Sequence, residues 1–512
     1  MAELQLNKKK KSGFDKFLNG IEKAGNKIPE PMMLFVWLSI FVIVLSFILS
    51  KSGYSAIHPG TKEKLTVVNL LSVAGLQKIL SNAVTNFSGF YSLGVVLVAM
   101  LGVGLCEKSG LFTALLRKSM SNIKGSKVKV VLIVVFASIV SNIAGDSGFI
   151  IMPAIGAMIF AAAGRNPIAG ALCAYSSVAG AFSANIIVGT LDVMLTSFTE
   201  SAVKLINPNF SVHPMMTYYF QLFSVFMLTI VATWVTLKFV EPRVGAWTNS
   251  DEKLEEITPK EVKAMKWAGA ALLVYLIIVA AGIIPQNGIL RDPETHSAIV
   301  SAAPLMKGLV ILITLAFFIP GVVYGKLSGK FKSSRDIVAT LSKCMSDMGS
   351  YIVLIFFIAQ FVSFFGWSNL GMIFAINGAN ALEASGLPII VVIILLILLC
   401  ILIDIFIGSA SAKWAIMAPI FIPMFMLLGY HPALIQMAYK IGDSVINVIT
   451  PLSAYFPIIY GVVRKYNKDA GMGTIIANMT PYSIWFLAFW LLQLVAWYLL
   501  KLPMGPGAPM MM

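Results

Sequence analysis

Residues Asp404–Phe421, DIFIGSASAKWAIMAPIF, put an aspartate, two serines, a lysine and a tryptophan inside one of the most apolar stretches of the chain. Residues 388–403 before them carry no charge, and residues 415–428 after them carry none either. A charge at bilayer depth costs roughly 2.5–3.5 kcal/mol on insertion scales, so Asp404 and Lys413 need partners or a wet cavity. Ser409 and Ser411 can cap a helix leaving such a knot, and the free N–H groups at its start suit an anion. A second knot, SNIAGDSG over Ser141–Gly148, offers Ser141, Asn142, Asp146 and Ser147 for the same work. The alternative for both knots is that they merely cap and turn the chain; their occurrence at corresponding places favours a binding site.

Beyond each knot an apolar segment is interrupted. In YKIGDSVINVITPLS, Gly442 and Pro451 weaken a helix and free its carbonyls, and Asp443 with Asn447 can hold Na+ or a proton. Lys440 and Asp443 are three residues apart on one helical face, so they either serve ligands or neutralise one another. The earlier counterpart, FSANIIVGTLDVML, carries Asn185, Gly189 and Asp192. Asp192 falls near a helix end, as a coupling carboxylate or as one in contact with water. Trp414 offers a ring for an aromatic ligand or for ordinary packing.

The elements that must position these groups are set by composition. Of 512 residues, 58% are hydrophobic and 12% charged, and the mean hydropathy is +0.86. Apolar runs near the roughly 20 residues that cross a bilayer recur throughout, so the chain reads as an all-α polytopic membrane protein. The net charge of +15 does not signal a nucleic-acid partner, because it follows the topology. With a cytoplasmic N-terminal segment (1–31), 27 lysines and arginines fall in segments traced inside and 8 outside, and three lie within spans. The tracing gives a first half, 32–240, with a hairpin at about 130–163, and a charged cytoplasmic linker, 241–266. A second half, 267–500, follows with a hairpin at about 388–428, and then a short outer tail, 501–512. Arms of these lengths fall short of a full crossing, which predicts nine transmembrane helices and two re-entrant helical hairpins. The histidines and cysteines show no metal-ligand spacing, and no catalytic motif is present, so no cofactor and no enzyme activity are expected.

The halves repeat. IIMP at 150–153 aligns with IMAP at 416–419, GRNP at 164–167 with GYHP at 429–432, and AY at 174–175 with AY at 438–439, at offsets of 264 to 266. The first copy starts inside and the second outside, so the repeat is inverted. Inverted repeats with interrupted helices point to a secondary transporter with its site near the membrane midplane. A channel would need a continuous polar path instead of knots between apolar arms.

With these residues in view, the chain resembles the p-aminobenzoyl-glutamate transporter (AbgT) family along nearly its full length. GNKIPEPMMLFVWLSI, SNIAGDSGFIIMPAIGAMIF, FVEPRVGAW, IPQNGILRDP, GSASAKWAIMAPIFIPMFMLLGYHPA and LPMGPG carry the resemblance. It implies an elevator-type homodimer of the bacterial inner membrane that moves a small aromatic carboxylate, p-aminobenzoyl-glutamate or a related conjugate, with Na+ or H+. Proton-driven efflux of sulfonamide-type antimetabolites, or a dicarboxylate-type symport, are the alternatives. The resemblance also implies roles for Ser411, Trp414, Pro432, Asp443 and Pro451 in the substrate and ion pathway, and for Asp192 in the first half. A Na+ would sit at Asp404 and Asp443. Two residues depart from the family pattern: Lys440 stands where an arginine is common, and Asp404 where a neutral polar residue is expected.

Overall fold

The computed structural model describes residues 31–57, 62–120, 126–144, 147–245, 247, 257–298, 303–404, 407–450, 453 and 455–512. The N-terminal segment and the centre of the 241–266 linker lie outside the described residues, as do Asp146 and Pro451.

Helix α1 (Pro31–Lys51) leads through a two-stranded antiparallel hairpin, β1 (Ser55–Ile57) and β2 (Lys64–Thr66), into α2 (Val73–Ser88), α3 (Tyr91–Ser109) and α4 (Leu111–Met120). The first knot joins α5 (Lys127–Val140) to α6 (Ser147–Ala162), followed by α7 (Pro167–Gly180), α8 (Thr190–Val203) and α9 (Tyr218–Val235). The second half opens with α10 (Pro259–Ile283) and α11 (Leu309–Ser328), then α12 (Ser334–Asp347), α13 (Gly349–Trp367) and α14 (Leu370–Ala384). The second knot joins α15 (Ile389–Asp404) to α16 (Ala410–Leu427), followed by α17 (Pro432–Asn447), α18 (Phe456–Tyr466) and α19 (Met472–Leu499).

Eight of these stretches are long and apolar enough to span a bilayer. Seven correspond to expected crossings. The other two expected crossings, 167–194 and 432–461, are interrupted as their sequences imply: α7 and α8 are separated by 181–189, and α17 and α18 by 448–455. The eighth long stretch is α16, the second arm of the later knot. Trp37, Phe41, Phe226, Ile230, Ile277, Ile278 and Leu402 stand exposed on α1, α9, α10 and α15. An apolar rim of that extent belongs against lipid tails.

The repeat holds down to its capping chemistry. Gly164 and Gly429 both take the left-handed conformation, with φ of 68° and 83°. Two residues on, Asn166 and His431 cap α7 and α17, accepting the N–H groups of Ile168 at 3.0 Å and Ala433 at 3.1 Å. Pro167 and Pro432 then occupy the first turn, where a missing N–H costs nothing. Both arms of the first knot pack on α7, as both arms of the second pack on α17. A Cβ on Gly156 of α6 would stand 2.5 Å from the Gly170 carbonyl oxygen of α7, so small residues set that crossing.

Two expectations change here. Gly442 does not break α17. It lies inside the helix, where a Cβ would stand 2.6 Å from the Cys400 Cβ, and its bareness lets α15 approach. The linker expected over 241–266 is shorter, because Glu241–Val244 continues from α9 and α10 begins at Pro259. Its first residue, Glu241, holds the largely buried Arg165 by two hydrogen bonds of 2.7 and 2.5 Å.

Candidate functional site

The two knots and the two interruptions meet around one cavity of about 680 Å³. Asn142 and Phe149 reach it from the first knot, and Phe182, Asn185, Gly189 and Thr190 from the first interruption. Gly408, Ser409 and Ser411 reach it from the second knot, and Asn447, Ser453 and Tyr455 from the second interruption. The first turns or caps of α6, α8, α16 and α18 therefore all border it. Each helix start carries roughly half a positive charge and unpaired N–H groups. The described wall includes no lysine or arginine side chain, so an anion here would be held by backbone dipoles and hydroxyls.

Local chemistry shapes the wall. Asn142 Nδ2 donates to the Val178 and Ala181 carbonyls, at 3.0 and 3.2 Å, where α7 comes to its end. Its Oδ1, and that of Asn185, are buried without a hydrogen-bond partner, which leaves two acceptors for an N–H of a guest. Ser409 caps α16 through the Ala412 N–H at 3.4 Å, with Ser411 Oγ 3.3 Å from its own. Phe149 stacks on Tyr455, rings 4.3 Å apart and 19° from parallel, and meets Phe182 edge-on at 5.7 Å.

Behind the wall lie the charges. Lys440 of α17 is ion-paired with Asp192 of α8. Asp192 also accepts the Gly189 N–H at 2.8 Å and Gln221 Nε2 at 2.9 Å. Lys413 of α16 is ion-paired with Asp404 at the end of α15, and its Nζ lies 2.8 Å from Asp443 Oδ1. Tyr439 Oη and Asn447 Nδ2 each stand 3.3 Å from the Asp443 carboxylate. All five charged side chains are 0–2% exposed.

Several expectations are corrected by this arrangement. Lys440 and Asp443 share a helix but not a partner, so they do not neutralise one another. Asp192 is no water-exposed carboxylate; it is buried and bonded on both oxygens. Trp414 does not border the cavity: it is fully buried, stacked on Tyr439 at 4.5 Å, with its N–H donated to Thr199 Oγ1 at 2.9 Å. Pro432 lies buried in the first turn of α17, and Ser141 Oγ donates to the Ser138 carbonyl at 2.6 Å, so neither borders the cavity. Ser411, Lys413 and Trp414, placed by the sequence in the knot, belong to the first turns of α16. The aromatic wall of Phe149, Phe182 and Tyr455 was not singled out, although Phe149 directly follows the first knot and Tyr455 closes the second interruption.

Helices with apolar outer faces, around a cavity built where helices are interrupted, are the architecture of a multi-pass membrane transporter. Residues 16–512 match the AbgT putative transporter family, and the chain belongs to that family. It is 42% identical over 493 residues to the p-aminobenzoyl-glutamate transport protein of Escherichia coli (strain K12), covering 96% of each chain. Among solved structures it is similar to MtrF of Neisseria gonorrhoeae, described within a class of antimetabolite efflux pumps, with TM-score 0.90 and 41% identity over 96% of this chain and all of that one. It is also similar to the YdaH transporter of Alcanivorax borkumensis, with TM-score 0.87 and 39% identity over 93% of this chain and all of that one.

Proposed function

We propose that this chain is a cation-coupled secondary transporter that moves p-aminobenzoyl-glutamate or a related aromatic amino-acid conjugate across the inner membrane. The convergence of four helix starts on one cavity carries the reading. Carboxylates of the conjugate lie against the N–H groups of α8 and α16 and the Ser411 hydroxyl. Its aryl ring meets Phe149, Phe182 and Tyr455, and its amine or amide N–H groups reach the open oxygens of Asn142 and Asn185. The coupling cation is Na+ or H+. The knots act as re-entrant hairpins, and with the two interrupted helices they move as one body, elevator-fashion, within a homodimer. Differential binding of substrate and cation to the two access states shifts their populations.

A second reading keeps the cavity and reverses the direction: proton-driven efflux of sulfonamide-type antimetabolites. It draws on the likeness to MtrF and on the p-aminophenyl group that both ligand classes present to the aromatic wall. Flux of both compounds in proteoliposomes of each orientation, under Na+ and H+ gradients imposed separately, tests the two readings. Gradient-driven accumulation of the conjugate supports uptake, and accumulation of the sulfonamide alone supports efflux. Movement of neither rejects both.

A further inference from the structure

We infer that Lys413 is a tethered cation: its ammonium fills the place between Asp404 and Asp443, and that pocket admits no Na+. The inference deepens the reading above and rests on it only for its consequence, that Na+ at this position does not drive transport. Three helices build the pocket. Asp404 and Cys400 come from α15, Lys413 from α16, and Tyr439 and Asp443 from α17, while Lys440 on the same helix is engaged with Asp192. The ammonium is ion-paired with both carboxylates at once, and neither it nor Asp404 has any solvent exposure.

A Na+ at this place would need a shell of oxygens whose nearest members already face the ammonium. It would also stand within about 4 Å of a fixed positive charge, a repulsion that at an effective dielectric of about 20 lowers affinity about a thousandfold. Lys413 accounts for the unusual Asp404. A carboxylate at 404, where the family resemblance implies a neutral polar residue, supplies the second partner that a fully buried lysine requires. Among the described residues no cluster of three acidic, histidine or cysteine side chains offers an alternative metal site.

The test uses the purified full-length protein, wild type, Lys413→Ala and the double variant Asp404→Asn/Lys413→Ala. Thermal unfolding is followed in NaCl against choline chloride at equal ionic strength. Wild type is expected to show no Na+-specific stabilisation. Both variants are expected to gain one, half-maximal about tenfold or more below any concentration that affects wild type, the least effect a unit charge at such a distance has on a carboxylate's preference for a cation. The double variant removes opposite charges together, so it carries the comparison if the single variant fails to fold. Stabilisation of wild type by Na+ overturns the proposal, as does a folded variant that gains no response to Na+. Both results are independent of flux, so absence of any substrate movement would reject the proposed function and leave this inference standing.

Discussion

Lys440 of α17 and Asp192 of α8 form a buried ion pair between the two halves of the repeat, 248 positions apart in sequence. The pair ties the interrupted helices to each other across the pseudo-symmetry. Removing one partner leaves the other uncompensated. Asp192→Asn or Lys440→Met should each lower stability by about 3–5 kcal/mol, and Asp192→Asn/Lys440→Met should recover much of the loss. A double-variant cycle in chemical unfolding of the detergent-solubilised protein measures the coupling. Purely additive losses would refute the tie.

Trp414 and Tyr455 should separate cleanly. Trp414→Phe keeps the stack on Tyr439 and loses the N–H bond to Thr199, a cost of about 0.5–1.5 kcal/mol, with substrate KM unchanged. Tyr455→Ala removes a ring that borders the cavity and should raise KM for the aromatic conjugate about tenfold, the worth of a stacked ring of about 0.5–1.5 kcal/mol together with its buried area. Concentration-dependent flux of the two variants checks both. A KM effect for Trp414→Phe and none for Tyr455→Ala would place the aryl ring elsewhere.

Gly164 and Gly429 turn the chain at equivalent points of the two copies, with open space where a Cβ would stand. Alanine therefore meets only backbone strain, and each substitution should cost about 1–2 kcal/mol. Equal shifts in thermal midpoint for the two variants are expected; a shift in one alone would mean that the copies do not share the turn.

The C-terminal tail packs on the turn that leads into α17. The Met510 carbonyl accepts the His431 N–H at 3.0 Å, and the Met512 N–H donates to Gly429 at 2.9 Å. Burial, and then the neighbouring His213, push the His431 imidazole down from 6.5 to about 4; burial lowers His213 as well. Burial disfavours the charged form of both imidazoles, so protonation favours the undocked form. Docking should be complete above pH 6.5 and lost as pH falls toward 4. Hydrogen exchange at the Met512 amide reads this directly, and His431→Asn, which keeps a helix cap, should flatten the profile.

The knots, the interruptions and the repeat were legible because each breaks or renews an apolar run, and such breaks are visible locally. Helices α2, α12 and α14 were not read from the sequence: they are short and carry polar residues, so no 20-residue apolar window marks them. The partners of Lys413 and Lys440 were hidden for another reason. Periodicity reports which face of a helix a residue occupies, not which distant helix lies against that face. Lys440 and Asp443 looked paired by spacing, yet each is bound by a residue from another element. Trp414 was drawn into the site by its neighbours in sequence, while α16 turns its ring toward Tyr439.

The central claim is that one cavity, ringed by helix starts, holds an aromatic carboxylate and couples its movement to a cation. Flux of p-aminobenzoyl-glutamate into proteoliposomes carrying wild type or Ser411→Ala, with H+ and Na+ gradients imposed in turn, tests it most directly. The account predicts gradient-driven accumulation by wild type and at least about tenfold less by Ser411→Ala, the worth of a hydrogen bond to a charged group. Equal accumulation by both, or none by wild type under either gradient, would contradict it.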